Sequence, residues 1–475
     1  MRKTILWLLT SLILASLLLA GCGTPTTKAP EATKPPVPTK PPVPTNTPVP
    51  PTKPPEPVTI RWFVGLGTGG NPEQKDAQEQ VVADFNASHP YIKLEIEIVQ
   101  NDVAYDRLKT EIASGNPPDI VGPVGVRGAN EFTGLFLDMT PFMAGYDLSD
   151  FDPAAVQFWN FAGEGQVGLP FGFFPSFLYI NKDLFDEAGL PYPPAKYGEK
   201  YEGKDWTVET MEELAMKLTV DKNGNDATNS AFDAENIVQW GFVQQWTDPR
   251  GQATLFGAGS FVGPDGKTAV VPDNWRTEFN WYYDGIWKKH FIPTGQAVSS
   301  DLLGAGNPFN SGNVAMAYCH LWYTCCLSGV PNWDMAAAPS HNGKVTAKLH
   351  ADTFRILKAS KHPAEAFEVL TYLVGEAAPK LLLTYGGMPA RKSQQAKFFE
   401  SMAGNYPFVE NWQVAIDSLS YPDNPNHESN MPNFAKADDK VKAFQTLYEN
   451  TPDLDMNAEI DKFLTELQAI FDEKP

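Results

Sequence analysis

Fourteen of the 35 residues from 23 to 57 are proline. Proline fixes φ and lacks an amide donor, so this stretch can supply neither a helix interior nor a central strand. Thr33-Lys34-Pro35-Pro36-Val37-Pro38 returns nearly unchanged as Thr39-Lys40-Pro41-Pro42-Val43-Pro44. The segment reads as an extended polyproline II spacer at about 3.1 Å per residue, roughly 100 Å in all. Any globular fold must therefore come from 58 to 475. The first 57 residues hold six basic and two acidic side chains, a net of +4, so the body carries −24 against the chain's total of −20. A surface of that sign repels phosphate backbones and argues against a nucleic-acid partner. With 42% hydrophobic residues and four cysteines, a hydrophobic core has to hold the body, not a disulfide framework.

Ahead of the spacer, Arg2 and Lys3 precede an apolar run from Ile5 to Ala20, closed by Leu19-Ala20-Gly21-Cys22. The run is short for a bilayer span. It resembles a bacterial lipoprotein signal, which implies removal of 1–21, lipidation of Cys22, and 22–57 as a stalk. Two acyl chains would suffice for stable anchoring on the extracytoplasmic face of the cell membrane.

The body alternates. Val58 to Val64 is β-rich and ends in glycines, Pro72 to Phe85 has a helical apolar period, and Ile92 to Val99 alternates as a strand, which together predict a βαβ unit. Arg107 to Ala113 predicts a second helix and Pro118 to Val121 a buried strand. Further on, Phe177 to Ile180 and Trp240 to Val243 read as strands, and Thr207 to Leu218 and Trp275 to Lys289 as helices. The class is α/β with room for two lobes. Gly65-Leu66-Gly67-Thr68-Gly69-Gly70 matches a dinucleotide fingerprint by letter. No carboxylate ends the second strand, however, because Glu95 and Glu97 lie inside it and Gln100-Asn101-Asp102 follow. The glycines instead predict a tight loop that brings backbone to a ligand at the first strand's carboxyl end.

Six segments, in this order, resemble the extracellular solute-binding proteins of ABC transporters, in the carbohydrate branch that includes maltose-binding protein. They are Pro117-Pro118-Asp119-Ile120-Val121, Tyr179-Ile180-Asn181-Lys182-Asp183-Leu184-Phe185, Trp206-Thr207-Val208-Glu209-Thr210-Met211-Glu212-Glu213-Leu214, Phe309-Asn310-Ser311-Gly312-Asn313-Val314-Ala315-Met316, Ser360-Lys361-His362-Pro363-Ala364-Glu365-Ala366-Phe367 and Gly387-Met388-Pro389-Ala390-Arg391. The resemblance implies a two-lobed periplasmic-binding-protein-like fold with discontinuous lobes and a hinge. One lobe would hold 58–174 plus 338–386, the other 175–337 plus 387–475, with crossings near Gly172 to Ser176, Met335 to Pro339 and Tyr385 to Pro389. It also implies a monomer without a required cofactor. This monomer would close on an extracellular mono- or oligosaccharide and deliver it to an ABC permease, without catalysis.

Sugar sites pair aromatic plates, which cover apolar ring faces, with polar groups that take the hydroxyls. By the likeness, Trp322 stands at the family's distance after the Phe309 to Met316 motif for a stacking tryptophan. Arg127 matches a cleft-loop arginine, and Phe174 stands in the first crossing as an apolar wall where relatives carry a polar contact. Pro123 replaces an aromatic plate of maltose-binding protein, which argues against maltodextrin. Trp246 lies at a strand exit where a second plate is expected. Asp352 and Thr353 are candidates for hydroxyl partners, Thr68 and Gly69 are candidates by their place in the glycine loop, and Arg391 belongs to the third crossing.

Asp221, Asn223 and Asn225 alternate like the start of a calcium loop, although the sixth position is Asp226 and the twelfth Phe232. The segment is a structural calcium site or an Asn-rich turn. Cys319, Cys325 and Cys326 surround His320. In an exported chain they predict one disulfide and one leftover thiol, with a 319 to 325 or 319 to 326 bridge near Trp322, more than a zinc site. Two rival functions remain, a solute-binding protein for a non-sugar ligand and an exported carbohydrate-active hydrolase. The hydrolase would need two carboxylates about 5 to 9.5 Å apart, and the chain has neither a His-Glu-x-x-His nor a Gly-x-Ser-x-Gly motif.

Overall fold

The computed structural model describes residues 57–151, 153–161, 164–246, 249–423 and 431–473. The expected signal sequence, Cys22 and the proline-rich residues up to 56 lie outside the described residues. The strands of the main sheet are β1 (Val58–Val64), β2 (Ile92–Ile98), β3 (Ile120–Val124), β4 (Leu169–Asn181), β5 (Val220–Asp221), β6 (Ile237–Gln244), β7 (Val314–His320), β8 (Trp333–Ala336), β9 (Leu349–Ile356) and β10 (Met388–Pro389). They run in the order β2-β1-β3-β9-β4-β7-β6-β5, with β8 and β10 also pairing to β4.

β1 is parallel to β2, with Val58 opposite Ile92 and Val64 opposite Ile98, and parallel to β3, with Trp62 opposite Ile120. β4 ties two halves of the sheet together. Its first part faces β9, from Phe354 opposite Leu169 to Leu349 opposite Pro175. Its second part faces β7, from His320 opposite Ser176 to Met316 opposite Ile180. Nearly every residue of β4 is buried, as expected for a strand covered on both faces, whose sequence is then an apolar run without alternation. All three expected crossings touch this strand: Gly172 to Ser176 lies within it, Met335 of β8 pairs with Tyr179, and Met388 of β10 pairs with Phe173.

The helices used below are α1 (Lys75–Ser88), α2 (Asn101–Ala113), α3 (Val126–Glu131), α4 (Val208–Lys217), α5 (Asp273–Trp287), α6 (Pro363–Leu373), α7 (Ala378–Tyr385), α8 (Lys392–Asn405), α9 (Phe434–Asn450) and α10 (Met456–Phe471). The helix expected over Pro72 to Phe85 is divided, because a capping box between Asn71 and Gln74 closes a 3₁₀ turn, Pro72–Gln74, ahead of α1. α2 begins at Asn101, well before the expected Arg107, and its buried stripe of Ala104, Tyr105 and Leu108 lies on helical spacing.

Ile60, Trp62, Phe85, Leu370 and Leu381 pack in the core of the first half, where α1, α6 and α7 cover the sheet. In the second half Phe279 meets Trp275, Phe444 and Phe463 in the cluster that also holds Phe242, so α5, α9 and α10 share one core. Each such aromatic contributes about 1.5–3 kcal/mol by burial. β6 and α4 approach so closely that a Cβ on Gly241 would run into the Ala215 carbonyl oxygen. The chain ends of β1, β6 and β7 and the middle of β4 converge on one cleft.

Candidate functional site

The glycine loop after β1 is held by amide side chains. Gln74 Oε1 accepts from the Gly69 amide at 2.9 Å, Gln78 Nε2 donates to the Gly69 carbonyl at 2.8 Å, and Asn101 Nδ2 donates to the Gly65 carbonyl at 2.9 Å. Gly69 adopts φ +101, a conformation that suits glycine. The loop forms one wall of a cleft of about 570 Å³. The Gly69 amide is engaged by Gln74 and is not available to a ligand.

Asp352 of β9 stands beside this loop, nearly buried. A Cβ on Gly67 would come to 3.2 Å from Asp352 Oδ2, and one on Gly125 to 3.1 Å from Oδ1. The two glycines therefore make room for the carboxylate. Thr68 Oγ1 lies 3.5 Å from Asp352 Oδ2, donating toward it. Tyr385, at the end of α7, is 1% exposed, and its hydroxyl has no hydrogen-bond partner among the described residues. Burial, aided by the Asp352 charge, pushes its pKa well above the usual tyrosine range. Tyr385 thus stands behind the same cleft wall, its hydroxyl buried beneath Gly69.

The opposite wall is aromatic. Trp246, 47% exposed, donates its indole N–H to the Gly306 carbonyl at 2.7 Å and lies 7° from parallel to Trp322, with centroids 6.2 Å apart. Trp322 stacks in turn on His320, which stacks on His350 at 3.6 Å. Buried Phe174 closes the floor from β4, where it pairs with His350. Arg127 reaches the cleft from α3, its guanidinium 4.7 Å above the Tyr105 ring and its Nε 3.9 Å from Asp438 Oδ2. Asp438 belongs to α9 and is shared with Arg250 at 3.3 Å and Lys442 at 2.6 Å, so a charge cluster joins α3 to α9 beside the cleft.

The model of the bacterial extracellular solute-binding proteins matches residues 69–379. The chain belongs to this family. A Brucella abortus protein named as a binding protein is 31% identical over 124 residues, 26% of this chain and 29% of that protein. The chain therefore spans less than a third of that relative's length. The mannitol-binding protein of Pseudomonas aeruginosa is 25% identical over 373 residues, 73% of this chain and 77% of its own. In structure, the ABC substrate-binding protein of Listeria monocytogenes solved with cycloalternan superposes with a TM-score of 0.69 at 19% identity. That superposition covers 88% of this chain and 100% of that one. The fold is the two-lobed α/β arrangement of these binding proteins.

Of the candidates from sequence, the cleft of this solute-binding protein gathers Thr68, Gly69, Asp352, Arg127, Phe174, Trp246 and Trp322. Thr353 is turned away from it, because successive strand residues point to opposite faces. Its hydroxyl is fully buried and donates to the Leu169 carbonyl, with the Phe354 carbonyl 3.1 Å away. Arg391 is also elsewhere. It lies 4.4 Å over the Phe151 ring, donates to Tyr146 Oη at 2.7 Å and to the Val374 carbonyl at 3.1 Å, and faces Asp150. Tyr385, His350, Lys442 and Gln445 were not anticipated. Tyr385 carried a local signal in its place at the third crossing, and His350 in standing two residues before Asp352 on one strand.

The Asp221 segment is hydrogen-bonded as an Asn-rich turn. Asp221 accepts from the amides of Asn223, Asn225 and Asp233 and from Asn225 Nδ2, which aims the Asn225 amide nitrogen, not its oxygen, at the carboxylate. These hydrogen bonds bring the Asp221 pKa down to about 2 even though burial opposes them. Among the described residues, three or more His, Cys, Asp or Glu side chains are nowhere grouped for a metal. The disulfide joins Cys325 to Cys326, not Cys319 to either. Cys319 is the leftover thiol, buried with Sγ 3.1 Å from the Gln245 carbonyl, and burial pushes its pKa up to about 12.

Proposed function

We propose that the protein binds a neutral mono- or oligosaccharide in this cleft and delivers it to an ABC permease, tethered to the outer face of the cell membrane through lipidated Cys22. The observation that carries this reading is the pairing of walls, near-parallel Trp246 and Trp322 on one side and Asp352 and Thr68 on the other. The indoles suit the C–H faces of a pyranose ring and the polar wall its hydroxyls. The mannitol named for the Pseudomonas relative and the cycloalternan of the Listeria structure are polyhydroxylated ligands of the same chemistry.

The division into 58–174 plus 338–386 and 175–337 plus 387–475 follows the halves of β4, which we take as the hinge of a monomer. Catalysis is no part of this reading. Asp352 is the one carboxylate that lines the cleft among the described residues, whereas glycoside hydrolysis takes a pair. A thermal-shift screen across hexitols, monosaccharides and oligosaccharides tests the proposal, with X-ray scattering on each hit. A stabilising sugar that also lowers the radius of gyration is expected, since only closure lets both lobes touch it. Stabilisation by peptides or polyamines alone would overturn the sugar assignment.

A further inference from the structure

The Cys325–Cys326 bridge joins neighbours in sequence. A disulfide stabilises a fold mainly by shortening loops of the unfolded chain, and the gain grows with the length of the loop closed. This one closes no loop beyond its own small ring. Cross-linking therefore does not account for it, and its position does.

Both cysteines line the cleft, in the same 3₁₀ segment as Trp322, Leu321–Cys326. Cys325 follows Trp322 by three residues, the spacing at which side chains share one face of a 3₁₀ turn. The turn is fixed from behind. Tyr406 Oη donates to the Thr324 carbonyl at 3.0 Å, Thr324 Oγ1 to the Leu321 carbonyl at 2.9 Å, and Asn307 Nδ2 to the Cys326 carbonyl at 3.3 Å. Cys325 is exposed and Cys326 half-buried, unlike Cys319, which is sealed in the core.

Two free thiols there would be mobile, weakly donating and polar when ionised. Joined, they have no S–H and no rotatable Sγ, and the pair presents a rigid, polarisable, apolar surface. We infer that the Cys325–Cys326 ring is a ligand-contacting part of the cleft wall. It extends the indole surface of Trp322, so that the apolar face of a sugar packs against sulfur as well as tryptophan. The chemistry of this occupant rests on the carbohydrate reading above.

The test uses the exported full chain in a detergent without a sugar headgroup. Intact mass and iodoacetamide labelling should find Cys325 and Cys326 unreactive as purified, and both alkylated after mild phosphine reduction while Cys319 stays unlabelled. Calorimetry then compares oxidised, reduced and Cys325→Ser/Cys326→Ser protein against mannitol, mannotriose and a mixed non-sugar panel of amino acids and polyamines. At least tenfold weaker sugar binding by the reduced and Ser/Ser forms, with ligand-free melting little changed, is the expected result. Equal sugar affinity in all three forms would overturn the wall assignment while leaving the sugar reading intact. Tenfold dependence on the ring for a non-sugar ligand would retain the wall and remove the sugar. Free, readily alkylated thiols in the purified protein would overturn the assignment at once.

Discussion

Trp246 and Trp322 lie 7° from parallel with ring centroids 6.2 Å apart. A sugar ring held between two indoles needs contact on both faces, about 7–8 Å in all. That separation leaves no room for a sugar ring between the two indoles, so the pair does not clamp. In the proposed reading a sugar would meet the exposed edge of this pair, with Asp352 and Thr68 across the cleft.

Replacing Trp322 by Ala should weaken sugar binding by roughly 2 kcal/mol or more, as for an aromatic anchor of an interface. Ligand-free melting should move little, because Trp322 is only partly buried at the edge of its cluster. A core tryptophan would instead cost about 3–5 kcal/mol of folding stability. Titration and ligand-free denaturation of the one variant separate the two roles.

The second half carries a pH-dependent element behind the cleft. Glu278 is 1% exposed with neither carboxylate oxygen hydrogen-bonded among the described residues, and burial raises its pKa well above the carboxylate range. Burial also raises Glu449 to about 7, against the hydrogen bond from Gln445. Both acids hold protons in the fold that the unfolded chain releases above about pH 4.3. Their contribution to stability is complete below that pH, declines as pH rises, and for Glu449 is lost above about 7. Glu449→Gln should flatten the fall in melting temperature between pH 5 and pH 8, by roughly 1–3 kcal/mol of stability at the upper end. A wild-type slope unchanged in the variant would contradict this.

Gly241→Ala should destabilise by about 1–3 kcal/mol or more, since its Cβ would press on the Ala215 carbonyl oxygen between β6 and α4. Urea denaturation measures it. Sugar affinity should survive in the folded fraction, because the site lies away from this contact.

Local pattern made much of this fold legible. Val58 to Val64 forms β1 over the expected residues, and the glycine loop stands at its carboxyl end as expected. β4 was underestimated because Pro170, Gly172 and Pro175 interrupt its sequence. Its neighbours supply the pairing that local propensity withholds. Thr353 fell to a rule that was available, strand alternation, which lets Asp352 face the cleft only if its neighbour faces inward. Lys442 and Gln445 reach the site from α9, and no spacing in the chain records that approach. The cysteines were grouped by proximity in sequence, but β7 carries Cys319 into the core while the turn after it leaves Cys325 and Cys326 at the surface of the cleft.

Calorimetric titration of the full chain at neutral pH with hexitols, monosaccharides and short oligosaccharides, run beside Trp322→Ala, tests the central claim most directly. The account predicts one saturable sugar site of roughly micromolar affinity, about −8 kcal/mol, largely lost in the variant. Heat from amino acids, peptides or polyamines with none from any sugar, or a sugar bound equally by the variant, would contradict it.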